Sequence, residues 1–146
     1  MSIDRPRIDQ LNIVVSDMER SLAFYRRLGV DAPQLWQGPD RQQHVNTSVN
    51  GFALDFDSPA FAAAWNCGWA GRTDLAGRVV VGFKLSDRNA VDRLYAQLTR
   101  EGHRGLQPPY DAIWGARYAV VEDPDGLAIG LMSPTDAIDP SAPPGG

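Results

Sequence analysis

The feature that most constrains this chain is an internal repeat. The segment QLNIVVSD at residues 10–17 matches VVGFKLSD at residues 80–87 in its apolar pattern and in its Ser-Asp ending. Both segments alternate like half-buried strands, and a helical pattern follows each. Later in each repeat stand FALDFDSP at residues 52–59 and LAIGLMSP at residues 127–134, which again share an ending. Such self-similarity predicts two copies of one structural module.

Each copy predicts the element order βαβββ, and therefore an α+β fold. After the first strand, Ser16 and Glu19 have the spacing of a capping box at the start of a helix. A hairpin closes each copy, with turn signals at Asn50-Gly51 in the first and in DPDG at residues 123–126 in the second.

Residues 1–135 are predicted to form a single domain that contains both modules. Module one covers residues 8–58 and module two covers residues 78–133. The linker between them, residues 59–77, begins after Ser58, which together with the following proline predicts a short helix. The last segment, residues 136–146, is rich in Pro and Gly and is predicted to be a flexible tail.

Composition excludes several classes of protein. The formal net charge is -4 and no cluster of Lys and Arg stands out, which argues against a nucleic-acid partner. No run of 18 or more apolar residues occurs, so no membrane span is expected. The start of the chain lacks the apolar stretch of a signal peptide, and Cys67 is the only cysteine. We therefore expect a soluble, cytoplasmic protein without an internal disulfide.

The segments IDQLNIVVSDMERSLAFYRRLG and VVEDPDGLAIGLM resemble the vicinal oxygen chelate superfamily. That superfamily includes glyoxalase I, extradiol dioxygenases, fosfomycin-resistance enzymes and bleomycin-resistance binding proteins. The resemblance covers about residues 8–133. It implies that the two modules form a U-shaped mixed sheet. It also implies a homodimer, whose modules either close within one chain or swap between two chains.

Metal-using members of this superfamily place metal ligands on the first and last strands of each module. The corresponding residues here are Gln10, Asp55, Val80 and Gly130. Val80 offers no donor atom and Gly130 has no side chain, whereas a catalytic zinc needs about three protein ligands and an open position. The resemblance therefore implies a dismantled metal site, and we expect neither a metal nor another cofactor.

Alternation along the strands predicts which side chains line the cavity of the U. In module one, Gln10 and Asn12 face it, and a pairing about the Asn-Gly turn is predicted to set His44 opposite Asp55. The other predicted pairs and cavity residues are Gln42 with Asp57, Asn46 with Ala53, and, in module two, Val80, Gly82, Lys84, Arg117, Ala119, Val121, Ala128, Gly130 and Met132. One half of the cavity is thus predicted to be polar and weakly acidic. The other is predicted to be apolar, with volume freed at Gly130.

Three interpretations of His44 are open. With Asp55 it forms an acid/base pair, since a carboxylate favours the charged imidazolium and histidine titrates near neutrality. With Gln10 and Asp55 it forms the ligand set of a displaced metal. Otherwise it is one member of a polar pair on a wet sheet face. His103 follows Gly102 and is predicted to be a solvated side chain.

Aromatic residues divide into two groups. Phe52 and Phe56 have strand spacing and are predicted to face the helices. A second group is predicted to lie in loops: Trp36, Trp65, Trp69, Tyr110 and Trp114. These rings either close over a flat apolar ligand by stacking or seal a dimer seam and the ends of the sheet.

The sequence favours a metal-free protein that binds a small organic molecule and sequesters an aromatic, cationic drug or metabolite. A metal-dependent lyase, isomerase or dioxygenase using Gln10, His44 and Asp55 is the alternative, and a regulatory or partner-binding domain is a third possibility. The predicted ligand-binding residues are Gln10, Asn12, Trp36, His44, Asn46, Asp55, Asp57, Tyr110, Trp114, Arg117 and Gly130.

Overall fold

Each half of the chain folds into a four-stranded mixed sheet with helices. The computed structural model describes residues 10–32, 34–67, 79–112 and 114–136, and the chain divides into unit 1, Met1–Arg72, and unit 2, Thr73–Gly146. The elements of unit 1 are β1 (Gln10–Val14), α1 (Met18–Arg26), β2 (Leu35–Gln37), β3 (Gln43–Val49), β4 (Phe52–Asp57) and α2 (Pro59–Trp65). Those of unit 2 are β5 (Val80–Lys84), α3 (Arg88–Arg100), β6 (Gly105–Asp111), β7 (Arg117–Glu122) and β8 (Ala128–Met132).

The strand order is the same in both units. It is β1-β4-β3-β2 in unit 1 and β5-β8-β7-β6 in unit 2. In each unit the first and last strands pair in parallel, and the other neighbouring strands pair antiparallel. The predicted α+β fold of two βαβββ modules is therefore confirmed. The short helix predicted after Ser58 is also present as α2.

The residue that caps α1 differs from the prediction. Ser16 was expected to cap the helix, but α1 begins at Met18 and the side chain of Asp17 accepts a hydrogen bond from the backbone N–H of Arg20. Asp87 caps α3 in the same way, through the backbone N–H of Ala90. The second residue of each Ser-Asp ending is therefore the cap.

Each unit has its own apolar core between a sheet and a helix. In unit 1 the buried ring of Phe56 on β4 lies 4.7 Å from that of Tyr25 on α1. In unit 2, Leu98 of α3 is buried, as is Leu131 of β8. Phe52 lies on the same face of β4 as Phe56, but its side chain is 42% exposed. It lies at the start of β4 beside the turn, where the sheet ends.

The repeated Ser-Pro ending has a structural role in both units. The Ser58 hydroxyl oxygen accepts a hydrogen bond from the backbone N–H of Gln43, at 2.9 Å. Ser133 accepts one from the backbone N–H of Arg117, at 2.8 Å. Each serine thereby ties the residue after the last strand to the first residue of the neighbouring strand. The same connection in both units explains why both repeats carry the ending.

Some predicted segments fall outside the described residues. These are most of the linker, including Trp69, and all but the first residue of the tail. Within the residues that are described, no helix has the length and apolar character needed to cross a membrane.

Candidate functional site

A polar network on the sheet of unit 1 is centred on Asp57. This carboxylate is completely buried at the end of β4, where the strand pairing sets it opposite His44 of β3. Its Oδ1 contacts His44 Nδ1, and its Oδ2 accepts a hydrogen bond of 3.0 Å from Asn12 Nδ2. Both carboxylate oxygens are thus hydrogen-bonded, which offsets the cost of burying the charge. We call Asn12, His44 and Asp57, with the neighbouring rings of Trp36 and Phe61, the histidine cluster.

His44 is held from two directions. Its Nδ1 is bound by Asp57, and its ring centroid lies 5.1 Å from that of Phe61 on α2. Phe61 in turn lies 5.2 Å from the ring of Trp36 on β2. The His44 side chain is 20% exposed, and its Nε2 has no hydrogen-bond partner among the described residues. The second ring nitrogen is therefore the one that can meet a ligand.

Ser58 positions the helix that carries Phe61. Its hydroxyl accepts a hydrogen bond from the Phe61 backbone N–H at 3.2 Å, in addition to the one from Gln43. One side chain thus begins α2 and anchors the start of β3, one residue before His44. The Ser-Pro signal in the sequence is the local reason that Phe61 and His44 meet.

The predicted pair of His44 with Asp55 is wrong, because β3 pairs with β4 two residues away from the expected register. The turn consists only of Asn50 and Gly51, which both have positive φ, 53° and 79°. A two-residue turn of this kind pairs the residues on either side of it, and His44 then lies opposite Asp57. The prediction also paired Gln42 with Asp57 and Asn46 with Ala53. The same shift of two residues makes both pairs wrong, and Asn46 lies opposite Asp55.

Asp55 belongs to a separate set of hydrogen bonds. It is buried, with 4% of its surface exposed, and its Oδ2 accepts a hydrogen bond of 3.1 Å from Asn46 Nδ2. Gln10, which one of the three interpretations grouped with His44 and Asp55 as metal ligands, donates from Nε2 to Asn12 Oδ1 at 2.9 Å. The structure therefore does not support the trio of Gln10, His44 and Asp55 as a metal site.

Unit 2 carries three aromatic rings in mutual contact, which we call the aromatic cluster. Tyr110 of β6 lies directly opposite Tyr118 of β7, with ring centroids 6.2 Å apart. Trp114, in the turn between these strands, lies 5.4 Å from Tyr118 and 6.4 Å from Tyr110. All three pairs have the edge-to-face geometry that aromatic rings prefer. The predicted residues Tyr110 and Trp114 are thus brought together by a residue that the prediction did not include.

Tyr118 was missing from the predicted cavity residues because the prediction assigned the side chains of β7 to the wrong faces of the sheet. The connection between β7 and β8 has five residues, 123–127, whereas the one between β3 and β4 has two. Val120 consequently pairs with Gly130, and Tyr118 with Met132, so Tyr118 shares the face of Gly130. The length of the DPDG segment, compared with Asn-Gly, is the sequence signal that could have indicated this shift.

Arg117 lies on the opposite face from the one predicted. Its Nε donates a hydrogen bond of 2.9 Å to Asp92 Oδ1 on α3, and its Nη1 lies 3.3 Å from Asp111 Oδ1. Hydrogen bonding to Asp92 raises the pKa of Arg117. The predicted cavity residues Ala119 and Val121 also belong to this helix-facing side, and both are fully buried. Arg117 is therefore a structural link between β7 and α3.

Gly130 was expected to free volume in the cavity, but that volume is occupied by Tyr118. A Cβ atom at residue 130 would lie 2.8 Å from the Tyr118 hydroxyl oxygen and 3.2 Å from ring atom Cε2. Burial raises the pKa of Tyr118, and the neighbouring Tyr110 adds to this shift. The Tyr118 hydroxyl therefore stays protonated at neutral pH and can donate a hydrogen bond.

Arg88 holds the turn that carries Trp114. It begins α3 and donates from Nη1 to Asp111 Oδ1 at 2.7 Å, from Nη2 to the Gly115 carbonyl oxygen at 2.9 Å, and from Nε to Asp136 Oδ2 at 2.8 Å. The guanidinium thus joins three segments around the turn, although each ion pair is largely exposed and individually weak. Trp114 is positioned by this network and by the rings of the two tyrosines.

The residues at the metal-ligand positions of the fold do not fit a metal ion. Of the four, Val80 has no donor atom and Gly130 has no side chain, while Gln10 and Asp55 have other partners. In the described parts of the chain, no three His, Cys, Asp or Glu side chains are grouped so as to hold a metal.

Comparison with known proteins places the chain in a family. The model of the Glyoxalase/Bleomycin resistance protein/Dioxygenase superfamily matches residues 7–131, and the chain belongs to that superfamily. A search of curated proteins gives no significant match.

Three solved structures illustrate the likeness. A glyoxalase-related enzyme from Fulvimarina pelagi has a TM-score of 0.72 at 19% identity, over 95% of this chain and 99% of that one. A glyoxalase/bleomycin resistance protein/dioxygenase from Nocardioides has a TM-score of 0.70 at 22% identity, over 97% and 92%. The fosfomycin resistance protein FosX from Listeria monocytogenes has a TM-score of 0.66 at 10% identity, over 88% and 93%. At these identities the likeness concerns the fold alone.

The contact between Gly130 and Tyr118 yields a first prediction. In Gly130→Ala the new methyl group forces the Tyr118 ring to move away from Trp114, so the near-ultraviolet circular dichroism of the aromatic cluster should change. Stability should fall by about 1 kcal/mol, at the low end of the cost of overpacking.

Gly82→Ala is the matched control. Gly82 pairs with Gly130 on the same sheet face, yet a Cβ there would meet nothing within 4 Å. Its spectrum should equal that of the parent protein. Equal spectra for both variants and the parent would show that Tyr118 does not depend on Gly130.

Proposed function

We propose that this chain binds a small, flat aromatic molecule and does so without a metal ion. The observation that carries this proposal is the aromatic cluster of Tyr110, Trp114 and Tyr118. It lies at Gly130, where metal-using relatives place a ligand of the ion. Tyr110 is 37% exposed and Trp114 is half-buried, so both rings retain surface for a partner. A ligand ring that contacts one of these two rings gains on the order of 1 kcal/mol of binding free energy beyond the burial of its surface area.

The names of relatives agree with a role in binding small molecules. The superfamily is named in part for bleomycin resistance, and FosX for fosfomycin resistance. Fold likeness does not transfer a ligand, so the chemistry of the ligand has to come from the side chains of this chain.

Charge contributes less to the proposed binding of a ligand than the sequence predicts. A preference for cations was expected from Asp55 and Asp57, but both are buried and hydrogen-bonded to neighbouring side chains. Their oxygens are engaged within the sheet. Aromatic contact is therefore the expected main source of affinity.

Ligand titration tests this function. Calorimetric titration with neutral naphthalene derivatives, and with cationic dyes of similar shape, should give saturable binding for at least part of the panel. Trp114→Ala should weaken that binding by about tenfold, as expected for an aromatic residue at the centre of a binding surface.

Trp65→Ala is the control, because Trp65 is the exposed last residue of α2 and is 51% exposed. This variant should bind like the parent. Absence of saturable binding across the panel, or a Trp114→Ala variant that binds like the parent, would contradict the proposed function.

The metal-dependent alternative is tested separately. Because Val80 and Gly130 supply no donor atoms, purified protein should contain no stoichiometric divalent metal, and a chelator should leave its Tm unchanged. One tightly bound Zn, Fe, Mn or Ni ion per chain would favour a lyase, isomerase or dioxygenase instead.

We further propose that the protein is a cytoplasmic homodimer with two-fold symmetry. Leu35 on β2 and Leu106 on β6, the outer strands of the two sheets, are 37% and 42% exposed. Exposed strand edges with apolar side chains are usually covered in the native assembly. Light scattering at micromolar concentration should give the mass of a dimer, and a monomer would refute this assembly.

A further inference from the structure

We propose that the histidine cluster is a hydrogen-bond-accepting subsite, which selects planar aromatic ligands that carry an O–H or N–H donor. This inference rests on the proposed function, the binding of flat aromatic molecules, and concerns a surface formed within unit 1 alone. The acceptor is Nε2 of His44. The residues that create it are Asp57, which binds the other ring nitrogen, and the aromatic side chains of Phe61 and Trp36.

Asp57 determines which nitrogen of His44 carries the proton. A carboxylate accepts hydrogen bonds and cannot donate one, so Nδ1 must bear the hydrogen in their contact. A neutral imidazole has one N–H, and Nε2 is then left with an outward lone pair. In its neutral form the partly exposed imidazole therefore presents an acceptor to any ligand that reaches it.

The carboxylate cannot easily turn away from His44. Asp57 is fully buried, and its second oxygen is bound by Asn12 Nδ2 at 3.0 Å. The backbone carbonyl of Asp57 also accepts a hydrogen bond of 2.9 Å from the N–H of Val15 on the neighbouring chain segment. Side chain and backbone are thus fixed together, and the orientation of the imidazole is set before a ligand arrives.

Aromatic surface adjoins this acceptor. The Phe61 ring is tilted by 47° to the imidazole and by 55° to the Trp36 indole. Trp36 is 47% exposed, and its ring lies over Gly38, where any side chain would collide with it. A donor group at Nε2 would therefore place its own ring beside apolar aromatic surface, whereas an aromatic ligand without a donor would leave Nε2 to water.

Matched ligands test the selection. Calorimetry should show that the parent protein binds 2-naphthol several-fold to about tenfold more tightly than 2-methoxynaphthalene, the range expected for one net hydrogen bond. In His44→Phe, which keeps a ring against Phe61 but removes the acceptor, the two ligands should bind with similar affinity. Comparing the ligand pair within each variant cancels general effects of the substitution.

His103→Gln is the control, because His103 is the only other histidine of the chain and follows α3 in unit 2. It should keep the preference of the parent protein. If His44→Phe does not fold, His44→Leu, which also lacks an acceptor, replaces it, and folding is checked by far-ultraviolet circular dichroism.

The tautomer is measured without any change at His44. In the His103→Gln protein, ¹⁵N nuclear magnetic resonance of the single remaining imidazole should show a protonated Nδ1 and an unprotonated Nε2. A hydrogen on Nε2 in the neutral ring would overturn the inference, because no acceptor would then face the ligand.

The binding outcomes separate the two proposals. If neither naphthalene compound nor any other flat aromatic binds, the proposed function fails. If both compounds bind equally well to the parent, or if the preference for 2-naphthol persists in His44→Phe, aromatic binding stands and the His44 subsite is wrong. Only a preference that disappears with His44 and survives in His103→Gln supports the subsite.

Discussion

Connection length between the last two strands of each module decides which side chains share a sheet face. In module one the connection is Asn50 and Gly51 alone, and the resulting register sets His44 against Asp57. In module two five residues connect the strands, and Tyr118 comes to lie on the face of Gly130. Because side chains alternate along a strand, a change of one residue in register exchanges one complete set of side chains for the other. The polar network and the aromatic cluster both depend on this constraint.

The two modules use one backbone arrangement for two different surfaces. Ser58 and Ser133 make the same connection to the neighbouring strand, and the fold of the repeat is maintained through them. At the fourth position of the repeated last strand, however, one module has Asp55 and the other Gly130. A buried carboxylate requires donors, and Asn46 supplies one. A glycine requires no donor and leaves room for a ring from the adjacent strand.

Superfamily membership accounts for the fold of this chain, while the residues on the two sheet faces define its chemistry. The four positions at which the resemblance implies metal ligands are occupied here by residues that lack donors or have partners of their own. The features that can meet a ligand lie beside those positions, on the neighbouring strands and turns. The same sheet can therefore carry different side chains at these positions.

The sequence alone predicted four features: the repeat, the βαβββ order, the hairpin turns, and the absence of donor atoms at Val80 and Gly130. Each of these depends on local patterns or on residue identity. The aromatic character around Tyr110 and Trp114 was also accessible from composition. Only the tertiary structure decided three contacts: the pairing of His44 with Asp57, the contact of Arg117 with α3, and the position of the Tyr118 ring over Gly130. These contacts join residues on different strands or elements, and their pairing depends on the conformation and length of the connecting loops, which the alternation of apolar residues does not encode.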